Sequence, residues 1–180
     1  MLVTRFHEVL CQQHVLYGDE TPYRVIESEN ERTYYWVYST LKSIATPVVI
    51  YDFQESRARC VLKEFLKGFN GYIHCDGFSV YDNLPGILPV RCLAHIRRKL
   101  YEAIPKKQRD SDHPAVPVVK EIDKLFALER KWQPLEPEER LAKRQKEMRA
   151  DFNRVFEMID DISKAPKSKL AIAVNYARTC

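Results

Sequence analysis

Residues 47–75 constrain the fold of this chain more than any other stretch. Residues 47–53 (PVVIYDF) are apolar at consecutive positions, the pattern of a strand covered on both faces. Val61, Leu62, Phe65 and Leu66 then recur at helical spacing, and Gly68 stands where a helix C-cap belongs. Residues 71–75 (GYIHC) read as a strand again, ending in Asp76-Gly77. Strand, helix, strand in this order implies a right-handed crossover and a parallel pair.

The flanking residues extend this unit into a mixed α/β sheet. Residues 14–17 and 23–27 are short apolar-rich runs around Asp19-Glu20-Thr21-Pro22, and residues 33–40 (TYYWVYST) are dense in aromatic and β-branched residues. The polar turn at 28–32 between them predicts an antiparallel hairpin. Residues 88–92 form a fifth candidate strand, followed by a helix over 94–103. Helical periodicity then dominates. Val118, Ile122, Leu125 and Phe126 make one stripe after a proline-punctuated loop at 105–117. Leu141, Met148, Phe152, Val155, Ile159 and Ile162 make a longer stripe from Pro137 onward, with Gln145 its one polar break. The turn at 132–137 would fold these two helices into an antiparallel hairpin, and a last helix begins near Lys167.

Charge is distributed unevenly along the chain. Residues 1–90 hold 8 Lys/Arg against 11 Asp/Glu, whereas residues 91–180 hold 21 against 14. An acidic first half beside a basic second half suits a metal site next to a polyanion-binding surface, and an ordinary solvated surface would give the same count. Five cysteines without a CxxC pair argue for a reducing cytoplasm and against a disulfide framework or zinc knuckle. No stretch is apolar for long enough to span a bilayer, so no membrane partner is expected.

Two acids carry the candidate chemistry. Asp19 lies at or beside the first strand and Asp76 ends the fourth. If those strands are neighbours, the carboxylates meet, repel, and are relieved by a divalent cation between them. Hard oxygen ligands of this kind suit Mg²⁺ or Mn²⁺. On the residues alone, Asp19 could equally be a turn or cap residue, and Asp76-Gly77 an ordinary turn signal.

The ordered blocks Gly18-Asp19-Glu20-Thr21-Pro22, Trp36-Val37-Tyr38, Ser56-Arg57, residues 69–78 (FNGYIHCDGF), Tyr81-Asp82 and residues 92–99 (CLAHIRRK) resemble the transposase domain of the insertion sequence 66 family. Leu93 replaces the tryptophan of that family's CWAHxRRK motif, and Phe78 replaces the tyrosine usual after Asp-Gly. Both substitutions conserve bulk. The resemblance implies a ribonuclease H-like α/β fold: a mixed sheet flanked by helices, with an α-helical insertion. Residues 1–103 would be the catalytic core, 104–166 the insertion, and 167–180 the start of a further core helix.

It also implies Asp19 and Asp76 as the first two acids of a DDE triad holding Mg²⁺ or Mn²⁺. DNA is the implied partner, with transposon-end cleavage and strand transfer the implied reaction. Arg97, Arg98 and Lys99 become candidates for phosphate contact. His95 is a candidate for positioning a phosphate or water, or else a packed residue at a helix start. His74, two residues before Asp76, should share that acid's face by strand alternation, as a supporting residue or as core.

The family's third acid belongs to a downstream Asn-Asn-x-x-Glu-Arg segment. Glu121, Glu129 and Glu157 fall on insertion helices and do not replace it. The expectation is a two-acid fragment, inactive on its own and able to associate with a second copy or a full-length transposase. The alternative is a non-catalytic remnant that binds DNA or self-associates.

Overall fold

The strands Val15–Tyr23 (β1), Thr33–Thr40 (β2), Val49–Gln54 (β3), Gly71–Cys75 (β4) and Ile87–Arg91 (β5) form one sheet in the order β3-β2-β1-β4-β5. They are seen in a computed structural model, which describes residues 2–42, 44–108, 112–163 and 166–180. β2 runs antiparallel to both β1 and β3, while β1, β4 and β5 run parallel. The expected mixed α/β sheet is therefore present, with three departures in detail.

The first departure is that the runs 14–17 and 23–27 are not separate. β1 passes straight through Gly18-Asp19-Glu20-Thr21-Pro22, paired with β2 from Leu16 to Tyr23. Its pairing with β4 stops at Tyr17, so Pro22 lies on an edge stretch, where a missing N–H is tolerated.

The second concerns the crossover through α2 (Arg59–Phe65). It does not join neighbouring strands. β3 and β4 share a direction, but β4 carries buried Ile73 and Cys75, which belong in the sheet centre beside Leu16. β3 is instead an edge. Ile50 faces inward while Val49, Tyr51 and Phe53 are exposed, Tyr51 by 69%. Coverage on both faces is thus not observed.

The third is a helix, α1 (Leu2–Cys11), ahead of the sheet. Its Leu10 is buried, and its His7 ring stands edge-on to Phe65 at 5.0 Å. One sheet face packs Leu16, Trp36, Tyr38, Ile50 and Ile73 against Leu62, Leu66 and Phe69, with Tyr38 stacked on Phe65 at 3.7 Å.

The chain divides into two compact units, Met1–Cys92 and Leu93–Cys180. The second unit is helical: α3 (Leu93–Ala103), α4 (Ala115–Trp132), α5 (Pro137–Lys143), α6 (Arg149–Asp160) and α7 (Lys169–Thr179). α4 starts inside the stretch read as a loop, with Pro117 in its first turn, where proline costs no hydrogen bond. It packs against α6, giving the expected helix hairpin, and α3 packs against both α4 and α7.

The 141–162 stripe is interrupted. A π turn at Arg144–Met148 separates α5 from α6 and contains Gln145. That extra residue shifts the stripe out of register. Val155, Ile159 and Ile162 are buried, whereas Leu141 and Phe152 are exposed. Ser168 caps α7, its hydroxyl accepting the Ala171 N–H at 3.0 Å.

Gly71 is the tightest point of the β1–β4 junction. Its φ is +155°, and a Cβ there would collide with the backbone carbonyl of His14. Gly71→Ala is therefore expected to cost about 3 kcal/mol, strain and clash together, read as a lowered urea midpoint at unchanged m.

Candidate functional site

Strand order makes β1 and β4 neighbours. The parallel register pairs Leu16 with Ile73 and Tyr17 with His74, and it ends there. Asp19 lies two residues further along β1, and Asp76 directly follows the last residue of β4. Asp19 is exposed and Asp76 half-buried. Leu16 and Gly18 of β1, and Ile73 and Cys75 of β4, point into the core. Tyr17 and His74 lie on the opposite face with their rings 5.1 Å apart.

Each carboxylate is partly committed to backbone. Asp19 Oδ1 accepts the Glu20 N–H at 3.0 Å, and Asp76 Oδ1 accepts the Phe78 N–H at 2.8 Å, an Asx-type turn that opens the segment after β4. Such a pair offers hard oxygen donors suited to a divalent cation. Among the described residues, no group of three or more His, Cys, Asp or Glu side chains is placed to hold a metal ion. The fit to a cation extends to two side-chain ligands and no further. Cys75 is no thiolate ligand in waiting, because burial pushes its thiol up to about 12.

Four residues that the sequence did not single out shape this region. Glu20 follows Asp19 and so faces the other way, toward the core. Its side chain is only 2% exposed. A buried carboxylate needs partners, and Glu20 has them. Arg57 donates to its Oε1 through Nε at 2.9 Å and through Nη2, while Tyr81 Oη donates to Oε2 at 3.0 Å. Burial raises the Glu20 pKa, and the Arg57 hydrogen bond and charge oppose that rise. The Arg57 guanidinium also lies over the Phe78 ring at 3.7 Å.

Arg91, at the end of β5, grips the other side of the turn. Its Nη1 donates to the Asp76 carbonyl at 2.7 Å and to the Phe78 carbonyl at 3.4 Å, and its Nη2 pairs with Asp82. Glu20, Arg57 and Tyr81 stood in the motif blocks, but nothing in the sequence paired them. Alternation along β1 was the available signal, since it turns a glutamate inward.

The remaining candidates lie in the second unit, on α3. Arg97 is engaged: Nε and Nη2 donate to Asp123 at 2.6 and 2.9 Å. Arg98 is exposed, and Lys99 Nζ lies 5.8 Å from the centre of the Tyr176 ring. His95 is half-buried, and its Nδ1 has no hydrogen-bond partner among the described residues.

Arg91→Ala removes a largely buried cation and strands two carbonyls and Asp82. It should cost about 3 kcal/mol, against less than about 0.5 kcal/mol for Arg98→Ala, in parallel denaturant titrations. Thiol-reagent kinetics should label the exposed Cys60 at once and Cys75 only on unfolding.

The described residues contain no helix long and apolar enough to cross a membrane. Comparison with known proteins adds sequence relatives but no structural ones. Two uncharacterised proteins of Sinorhizobium fredii, y4qI and y4jD, are similar to this chain, at 26% identity over 202 residues and 28% over 195. The alignments cover 99% and 97% of this chain but 36% and 37% of those proteins, so the chain spans about a third of their length. No solved structure matches. The profile of the family described as "Transposase IS66 family" matches residues 1–179, nearly the whole chain, and the chain therefore belongs to the insertion sequence 66 family of transposases.

Proposed function

We propose that this chain is the part of a DDE transposase catalytic domain that carries the first two acids, Asp19 and Asp76, on a ribonuclease H-like sheet. The observation that supports this most is their arrangement. In a chain of a transposase family, Asp19 lies on β1 and Asp76 directly follows β4, and β1 pairs in parallel with β4. The implied reaction is hydrolysis of a DNA phosphodiester at a transposon end, followed by attack of the freed 3′-hydroxyl on target DNA. A bound Mg²⁺ or Mn²⁺ would supply charge neutralisation for the phosphoryl oxygens. The part of Asp19 and Asp76 is to hold that charge at a fixed place.

Residues 1–103 serve as the core with the acids, 104–166 as the helical insertion, and 167–180 as the start of a further core helix. A third acid contributed from outside the described residues would complete the ligand set. Sequence-independent DNA contact falls to Arg98 and Lys99, with Arg97 ordering α3 through Asp123. His74 supports the acid face and His95 the start of α3. Association with a longer transposase would bring the missing ligand.

A second reading has its own support, since no cluster of three metal-ligating side chains forms among the described residues. In it the chain binds DNA or self-associates without cleaving.

Thermal melting separates the two. Millimolar Mn²⁺ should raise the melting temperature of the wild type, and Asp19→Asn or Asp76→Asn should abolish the rise. A wild type indifferent to Mn²⁺ would falsify the two-acid site. On DNA, Arg98→Ala and Lys99→Ala should each lower the slope of log affinity against log salt by about 1. Unchanged slopes would remove α3 from the DNA surface.

A further inference from the structure

We infer that Glu20 is a positioning residue, a buried acid that fixes the turn carrying Asp76; for its functional meaning this rests on the two-acid reading above. Glu20 is adjacent to one acid in sequence and linked to the other in space. From β1 its carboxylate takes Arg57 on one oxygen and the Tyr81 hydroxyl on the other. Arg57 and Tyr81 bracket the turn after Asp76 from two directions. Arg57 covers the Phe78 ring, and Tyr81 closes the 3-10 turn Ser79–Tyr81, its N–H donating to the Phe78 carbonyl at 3.3 Å.

The Arg57 segment is itself tethered. Trp36 Nε1 donates to the Ser56 carbonyl at 3.4 Å, and Arg59 Nη2 donates to the Ser79 carbonyl at 2.8 Å. Trp36 is the residue opposite Glu20 in the β1–β2 register, and its ring stands edge-on to Tyr81. Three segments distant in the chain, 19–20, 56–59 and 76–81, thus converge on one carboxylate.

An apolar residue in Glu20's place would pack as well with Trp36 and Tyr81. It would hold neither Arg57 nor the tyrosine hydroxyl. The burial of a charge, costly in itself, is explained by the geometry it imposes on Asp76. Arg91 then fixes the opposite side of the same turn through the Asp76 and Phe78 carbonyls. An acid held by both sides keeps its outer oxygen in place, which is what a cation ligand requires.

The test is amide hydrogen exchange in metal-free buffer, followed by Mn²⁺ titration. Exchange across residues 76–82 should rise at least about 10-fold in Glu20→Gln, and by a smaller factor in Tyr81→Phe, while residues 33–40 exchange as in the wild type. Tyr81→Phe removes one hydroxyl and keeps the ring, so it serves if Glu20→Gln does not fold. Unchanged exchange at 76–82, or a rise spread evenly over the first unit, would overturn the assignment. Mn²⁺ should bind Glu20→Gln about 10-fold or more weakly than the wild type, and equal binding would also overturn it. A wild type that ignores Mn²⁺ counts against the two-acid reading alone, because the exchange result stands without metal.

Discussion

Three rungs of parallel pairing, Val15 with Tyr72, Leu16 with Ile73 and Tyr17 with His74, join the antiparallel half of the sheet to its parallel half. The middle rung is apolar and fully buried, so it is held by the core as well as by hydrogen bonds. A slip of one residue would turn Leu16 or Ile73 to the other face and separate the acids. Register and core therefore specify each other here. Asp19 and Asp76 each lie two residues beyond the last rung, so the register that satisfies the core also governs where the two residues leave it.

Beyond those rungs the strands part, and the space is filled by charge. Glu20 and Arg91 are both largely buried; Glu20 is satisfied by Arg57 and Tyr81, and Arg91 by Asp82 and the carbonyls of Asp76 and Phe78. Buried ionic groups contribute little net stability, but they make one arrangement far better than its neighbours. The apolar core thus fixes which strands pair, and the ionic contacts fix how the chain leaves them. In the helical unit, Arg97 spends its guanidinium on Asp123, whereas Arg98 is exposed.

Much of the sheet was legible because strand-forming residues are concentrated where strands occur, as in residues 33–40. Gly18 to Pro22 was not, because its composition is that of a turn. Eight rungs with β2 override that preference. The spacing of Leu2, Val3, Phe6, Val9 and Leu10 is helical and matches α1. The π turn could not be foreseen: one extra residue in a helix leaves no compositional trace. The sequence makes a meeting of the two acids conditional on β1 and β4 being neighbours, and the sheet order meets that condition. The Glu20 contacts were not, because they join residues 37 and 61 positions apart and only a folded chain shows them.

The central claim is that Asp19 and Asp76 form one cation site. Anomalous diffraction from crystals grown with Mn²⁺ tests it most directly. The account expects a manganese peak within about 2.5 Å of a carboxylate oxygen from each residue. Clear density for both side chains with no peak between them, or a peak bound by neither, would contradict it.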